Sequence, residues 1–566
     1  MNHRLTAFLA ASSLALSACG GGGGGSTVVP APTKAPSSSG TGQVAFSIVV
    51  PLKPAPSAAG RKPAYISPAT QSVTFQIGSS PVQVVPLTLG SASCPLGPNG
   101  YTCTAYANAP AGNAQVLTIS TYATTDGSGA VLSKLVIGVN ITAGAVNPVF
   151  VSLNGIAASL TVTVTPGPSV SRCVPSNVTA TWTAQDAAGY TIIGPGNIDN
   201  ASGNLVVPTL TTSDPTHFQV GSPTGNSWLV SYNGQGGTSP VTFSVSNPGV
   251  TTGNTPVAIN AGSLLFATLG NTVEMFAPPY TGPPTVVSNS VSLPSQVLVN
   301  SSCTLFVANA NANYGTNVTA YQPPYTGVPI ATMNAPGVVD ATLSPAGNIF
   351  TLAAYPGDNV LEFTPPYTGL PVQNFSIFEA DITSPTHVAV DSSNDVFVAG
   401  AAYTGGNTVA VFTPPYSSIP PSLSGTNNPQ RLLVQAGTND LFVSNLNSAQ
   451  TAYTPPYTGT PFASIAPGMN IGSAGMAFDA SNNLFVAFSG SSTVVEYAPP
   501  YTAGALRTIS SGLVDPVNLA VDPATGNLFV ANIETNQVTV YAPPYTAAPF
   551  ATLSVSGTNG ALAISP

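Results

Sequence analysis

The first third of the chain alternates hydrophobic and polar positions in short bursts. The runs VAFSIVV, SVTFQI, VQVVPLTL, QVLTISTYA, SKLVIGVNI and NPVFVSL lie between residues 43 and 155, separated by Gly, Pro, Asn and Asp-Gly turns. Strands of this length and spacing predict a β-sandwich. A second set, SLTVTVTP, NVTATWTAQD, NLVVPTL, SWLVSYNG and VTFSVSN, fills residues 156–259 and predicts another. The alternation in TATWTA places Trp182 on the inward face, where its indole is expected to fill the gap between sheets.

After residue 260 the pattern becomes periodic. Pro-Pro-Tyr recurs seven times, with Tyr at 280, 325, 367, 416, 457, 501 and 545, so the period runs from 41 to 49 residues. Repeats of this length mark propeller blades. Two strand-like runs precede each tripeptide. The first is the LFVAN type at residues 264, 305, 349, 396, 441, 484 and 528, and the second ends on an aromatic residue: Phe276, Tyr321, Phe363, Phe412, Tyr453, Tyr497 and Tyr541. A shorter run such as HVAVD (387–391), GMAFD (475–479) or NLAVD (518–522) comes before them. These are strands A, B and C, with D after the Pro-Pro-Tyr turn.

The first copy opens on a B strand, Leu264 to Thr268, and lacks its A strand, whereas the chain finishes on ALAIS (561–565), an A strand without a B. The two fragments complete one blade, giving an all-β fold of two sandwiches and a seven-bladed β-propeller (260–566) closed by the C-terminal strand. Closure of this kind removes exposed sheet edges.

The unit AVDPATGNLFVAN…NQVTVYAPP (520–544) resembles NHL-type repeats and the blades of streptogramin lyase-like propellers, and the 156–259 segment is similar to bacterial immunoglobulin-like modules. The resemblance implies an interaction module or, by analogy with the lyases, a metal-dependent lyase or hydrolase working by acid–base elimination. At the other end, Met1 to Arg4 and the apolar residues 5–18 fit a secretory signal too short to span a bilayer. Leu16-Ser17-Ala18-Cys19-Gly20 resembles the lipobox of bacterial lipoproteins, which implies lipidation of Cys19, membrane attachment and an exported location, outer membrane or cell surface. Residues 19–42, Gly-rich then Pro/Ser-rich, read as the tether.

Composition narrows the function classes. The 566 residues include 56 Pro and 55 Gly and only 5% charged residues, against 43% hydrophobic, which excludes long helices and charge-driven disorder. With nine Lys plus Arg and a net charge of -9 there is no basic surface for phosphates, so nucleic acid is not a partner. No CxxC or Cys/His cluster has metal spacing, and no cofactor is called for. Cys94 and Cys103 bracket the turn-rich CPLGPNGYTC, which predicts a local disulfide. Cys173 and Cys303 fall in different predicted domains, and spacing leaves a bridge or two separate thiols equally open.

Repeated residues read as scaffold. Asp391, Asp479 and Asp522 end A strands, where a carboxylate caps the turn into strand B, and Pro-Pro-Tyr reads as a strand stop with its ring packed on a turn. Function is sought where the repeats disagree. Aligned on Asp391, the starts of the A strands carry Gln296, Asp340, His387, Arg431, Gly475, Asn518 and Ala561. Five are polar and chemically different, and they should ring one mouth of the central channel beside loops bearing Tyr314, Tyr355 and Tyr403. Such a mouth suits a glycan, peptide or protein ligand. For the enzyme alternative, His387 is the single propeller His, with Asp340 and Arg431 as its helpers. His217 beside Asp214 reads as a loop residue.

Overall fold

A computed structural model of the chain describes residues 40–52, 65–150, 152–193, 197–237, 239–260, 262–310, 317–354, 357–402, 407–417, 421–446, 448–465, 473–555 and 560–566. It is all-β and divides into two compact units at Asn154/Gly155. Among the described residues no helix is long and apolar enough to cross a membrane. Cys19, with the signal and most of the tether, lies outside the described residues.

In the first unit, Thr41–Val50 pairs antiparallel with Gly100–Pro110 and parallel with Val146–Val149. Its alternation sends Val44, Phe46, Ile48 and Val50 inward. They meet the inward faces of a second sheet, Gln83–Pro86, Ser72–Ile77, Gly112–Tyr122 and Val131–Ile141 in that order, with Phe46 edge-on to Phe75 at 6.3 Å. The first strand begins two residues inside the segment expected as tether. Cys94 and Cys103 are disulfide-bonded.

The second unit opens with a module whose strands run Thr209–Thr212, Val241–Asn247, Val250–Asn260, Ser159–Thr165, Ser176–Gln185, Ser227–Tyr232 and Phe218–Thr224 in spatial order. One residue pair, Ser159 with Thr251, joins its two halves. The expectation for Trp182 needs correcting. It does pack against the core, opposite Val162, but its strand pairs with Ser227–Tyr232 only as far as Thr181 opposite Ser227, so Trp182 sits past the end of that pairing and is only partly buried. Trp228, opposite Ala180 and 4% exposed, takes the central place, with Phe218 stacked on Tyr232 nearby.

Seven sheets follow, six of them four-stranded in the order D-C-B-A. The first blade takes its A strand, Leu562–Ile564, from the chain's far end. Leu265, Phe266 and Ala267 pair with Ile564, Ala563 and Leu562. Hydrogen bonds from Ser565 N–H to the Leu264 carbonyl (2.9 Å) and from Thr268 N–H to the Ala561 carbonyl (3.1 Å) extend the join. The B strand runs Leu265–Leu269, one residue later than expected. Blade four departs from the pattern: its D strand shrinks to a bridge between Ala410 and Ser422. In five blades the residue five after the Tyr donates its N–H to strand C, as Ile330 does to Ala320 at 2.8 Å, but in blade four that position is Pro421, which has no N–H.

The Pro-Pro-Tyr turns are alike in all seven blades. Each Tyr has φ between 58 and 67° and donates its hydroxyl to the carbonyl two residues ahead of its own blade's B strand: Tyr280 to Ser263 at 2.7 Å, Tyr325 to Cys303 at 2.9 Å, Tyr367 to Gly347 at 2.7 Å, Tyr545 to Gly526 at 2.6 Å. The ring also reaches the preceding blade, a role the sequence reading missed. Tyr325 stands edge-on to Phe266, Tyr367 to Phe306, Tyr457 to Phe397, Tyr501 to Phe442 and Tyr545 to Phe485, all within 5.3 Å. Tyr280 of blade one meets Phe529 of blade seven at 5.2 Å, so the same contact closes the ring. In blade four Tyr416 stacks on Phe375 instead.

Candidate functional site

The polar A-strand residues are placed by a defect in the ladder. Pairing skips one residue between Pro294 and Gln296, Val338 and Asp340, Pro385 and His387, Pro429 and Arg431, and Pro516 and Asn518. A β-bulge turns the strand and re-aims the next side chain. In four of the five blades a proline opens it, two residues ahead of the polar side chain; proline tolerates such irregular pairing because it has no ladder donor. Pro-x-polar was the signal in the sequence that would have located these bulges.

The bulges bring Gln296, His387, Arg431 and Asn518 to a central channel of about 390 Å³, walled below by residues such as Val297 and Leu432. Asp340 is 3% exposed and links two neighbouring blades. Its Oδ1 accepts from Nε2 of Gln296 at 3.1 Å, and its Oδ2 accepts from the N–H of Val388 at 2.9 Å. Gln296 turns its own Oε1 onto the N–H of Val297, and Asn518 does the same for Leu519. These side chains satisfy inward-facing amides of the innermost strands, which have no further strand to pair with.

His387 puts Nε2 3.6 Å from Oδ2 of Asp340, while its buried Nδ1 has no hydrogen-bond partner. Burial pushes its imidazole down to about 4 against the attraction of Asp340, and Arg431 lowers it further. The ring is therefore neutral at physiological pH. Tyr314, Tyr355 and Tyr403 lie outside the described residues. Gly475, at the equivalent position of blade six, is small because a Cβ there would come within 2.6 Å of the Asn518 backbone. No group of three or more His, Cys, Asp or Glu side chains able to hold a metal ion occurs among the described residues.

The opposite ends of the A strands are capped as expected. Oδ1 of Asp391 accepts from the N–H groups of Ser393 and Asp395, both at 2.8 Å, and Asp479 caps its turn in the same way. On this turn face the preceding module is fastened: Cys173 is disulfide-bonded to Cys303, and Gln235 Nε2 donates to Gln322 Oε1 at 2.6 Å. The polar mouth is on the other face. Asp214 and His217, paired at 2.7 Å, belong to the sandwich and are not part of it.

No family model and no curated protein matches the chain. Among solved structures it is similar to a periplasmic gluconolactonase of Pseudomonas aeruginosa (17% identity, TM-score 0.43, 54% of this chain and 99% of that one). It is also similar to a putative 6-phosphogluconolactonase of Bacteroides uniformis (12%, TM-score 0.43, 54% and 99%). A virginiamycin B lyase of Staphylococcus aureus is similar over 47% of this chain and 85% of its own, at 13% identity and a TM-score of 0.36. At these levels the likeness carries no argument about activity, and the propeller rests on the strand pairing described above.

Proposed function

We propose that the chain is an exported lipoprotein, held to a membrane through lipidated Cys19, whose propeller binds a polar ligand at the channel mouth without transforming it. The observation that carries the reading is the linked set Gln296, Asp340 and His387. In a chain with 5% charged residues, three consecutive blades direct polar side chains to one axis and connect them there. A binding role suits these groups better than catalysis. An imidazole held near 4 is a weak base at neutral pH, and the carboxylate beside it is already occupied by two donors. The fastening of the sandwich to the turn face leaves the mouth free of that module.

A glycan and peptide array probed with the mature chain tests this, with Asp340→Ala and His387→Ala as controls. Binding that both substitutions abolish supports the mouth; binding that survives both sinks it. Turnover of a substrate in a metal-supplemented activity screen, lost in His387→Ala, would replace binding with catalysis. For the anchor, Cys19→Ser should move the protein from the detergent phase to the aqueous phase, and unchanged partitioning would refute lipidation.

A further inference from the structure

The propeller has two basic residues, Arg431 and Arg507, and they are treated very differently. Arg507 lies 3.4 Å from Oε2 of Glu496 and over the ring of Tyr545 at 5.6 Å. Arg431 is half-buried, lines the channel, and has no carboxylate within ion-pair distance among the described residues. Asp340, the acidic group two blades away at the same strand position, is committed to Gln296 and Val388 and faces His387. Removing a guanidinium from water without a counter-charge is costly, so a chain this poor in charge has no structural reason to hold one there.

His387, which lines the same channel, brings no counter-charge, and its Nδ1 is closed off from solvent. With Nε2 turned to the Asp340 carboxylate, the neutral ring carries its proton on Nε2 and a lone pair on Nδ1, the atom left without a partner. Asn518 adds a donor, because its Oδ1 is used on Leu519 while its Nδ2 remains available. The channel therefore offers a fork of N–H donors from Arg431 and an amide donor from Asn518 on one lining.

We infer that the channel binds a small carboxylate, held by Arg431 together with Asn518. The inference rests on the mouth being a binding site, and it names the class of ligand. The planar guanidinium fork matches a carboxylate in bidentate fashion, which a lysine would not. A volume of about 390 Å³ admits one monosaccharide-sized acid and falls within the range of small-molecule sites.

Calorimetric titration of the mature chain with galacturonate, glucuronate and tartrate, each against a neutral partner (galactose, glucose and threitol), tests the class. Saturable binding of at least one acid is expected, weaker by about tenfold or more for its neutral partner and for Arg431→Gln, and unchanged in Arg507→Gln. Arg431→Gln should also keep or raise the thermal midpoint, since it removes an unpaired charge, whereas a structural arginine would lower it. Failure of all three acids, or equal affinity for acid and neutral partner, overturns the inference. A neutral ligand that binds and is lost in Asp340→Ala would do so while leaving the mouth reading intact; no array ligand sensitive to Asp340→Ala or His387→Ala would remove both.

Discussion

The two ends of each innermost strand follow opposite rules. At the turn end, seven blades repeat one solution: a Tyr at positive φ, its hydroxyl on the carbonyl two residues ahead of strand B and its ring against the blade before. At the bulged end the residues are Gln, Asp, His, Arg, Gly, Asn and Ala, no two alike. A contact that must hold every blade to its neighbour has one good geometry and is copied. A position that faces a shared channel has no structural reason to be uniform, so its variety records what the channel holds. Repetition marks scaffold here, and divergence marks chemistry.

The comparison breaks most visibly at the seam. Deleting residues 558–566 removes the A strand of blade one and unpairs the inner edge of Leu265–Leu269. The expected loss, on the order of 4 kcal/mol or more, lowers the thermal midpoint of the second unit by roughly 10 °C. A shift under about 3 °C in the full mature chain would mean that the ring does not depend on this strand.

Next in size is the clasp itself. Tyr325 is 1% exposed, and Tyr325→Ala should cost about 3–5 kcal/mol by leaving a cavity against Phe266. Tyr416→Ala should cost markedly less, because this ring is half-exposed and leans on Phe375 across a blade that lacks a full D strand. Equal losses at the two sites, measured by chemical denaturation, would show that burial does not rank the seven clasps. Between them lies Tyr367→Phe, which removes only the hydroxyl bond to Gly347 and should cost about 1 kcal/mol.

Much of this architecture is legible in the sequence, for a physical reason. Blade count and closure follow from hydrogen-bonded strands repeated at a fixed period, and LFVAN and ALAIS carry that pattern openly. The partner of each Tyr is harder to see: Phe266 precedes Tyr325 by more than one full repeat, and periodicity does not say which blade a ring leans on. The Cys173–Cys303 bond joins residues 130 apart, beyond anything spacing decides. Trp182 has the right alternation and packs against the core, but only partly buried, since pairing to the Ser227–Tyr232 strand stops one residue short of it. At the mouth, alignment of the A strands found the residues, but the wiring of Asp340 to Gln296 and Val388 depends on bulges that shift side chains between blades.

A last effect, seen only as a change with pH, tests whether the mouth is a built environment or an ordinary wet rim. The groups facing His387 are Asp340 and Arg431, and burial, the largest cause, holds the folded imidazole near 4 against 6.5 in an open chain. Above pH 6.5 neither state binds the proton, so stability is unaffected. As pH falls from 6.5 to 4 the unfolded chain takes up a proton that the folded ring refuses, and stability drops; below 4 both are protonated and the loss levels off. Because part of the ring reaches solvent, the amplitude should be about 1–2 kcal/mol, less than the full shift implies. In His387→Gln this part of the pH dependence disappears, while the carboxylates titrate as before. Denaturation midpoints of both proteins at pH 7 and pH 4.5 give the difference directly. If the variant loses as much stability on acidification as the parent, the imidazole is solvated, Nδ1 is not a withheld acceptor, and the contrast between the uniform turn face and the specialised mouth loses its chemical half.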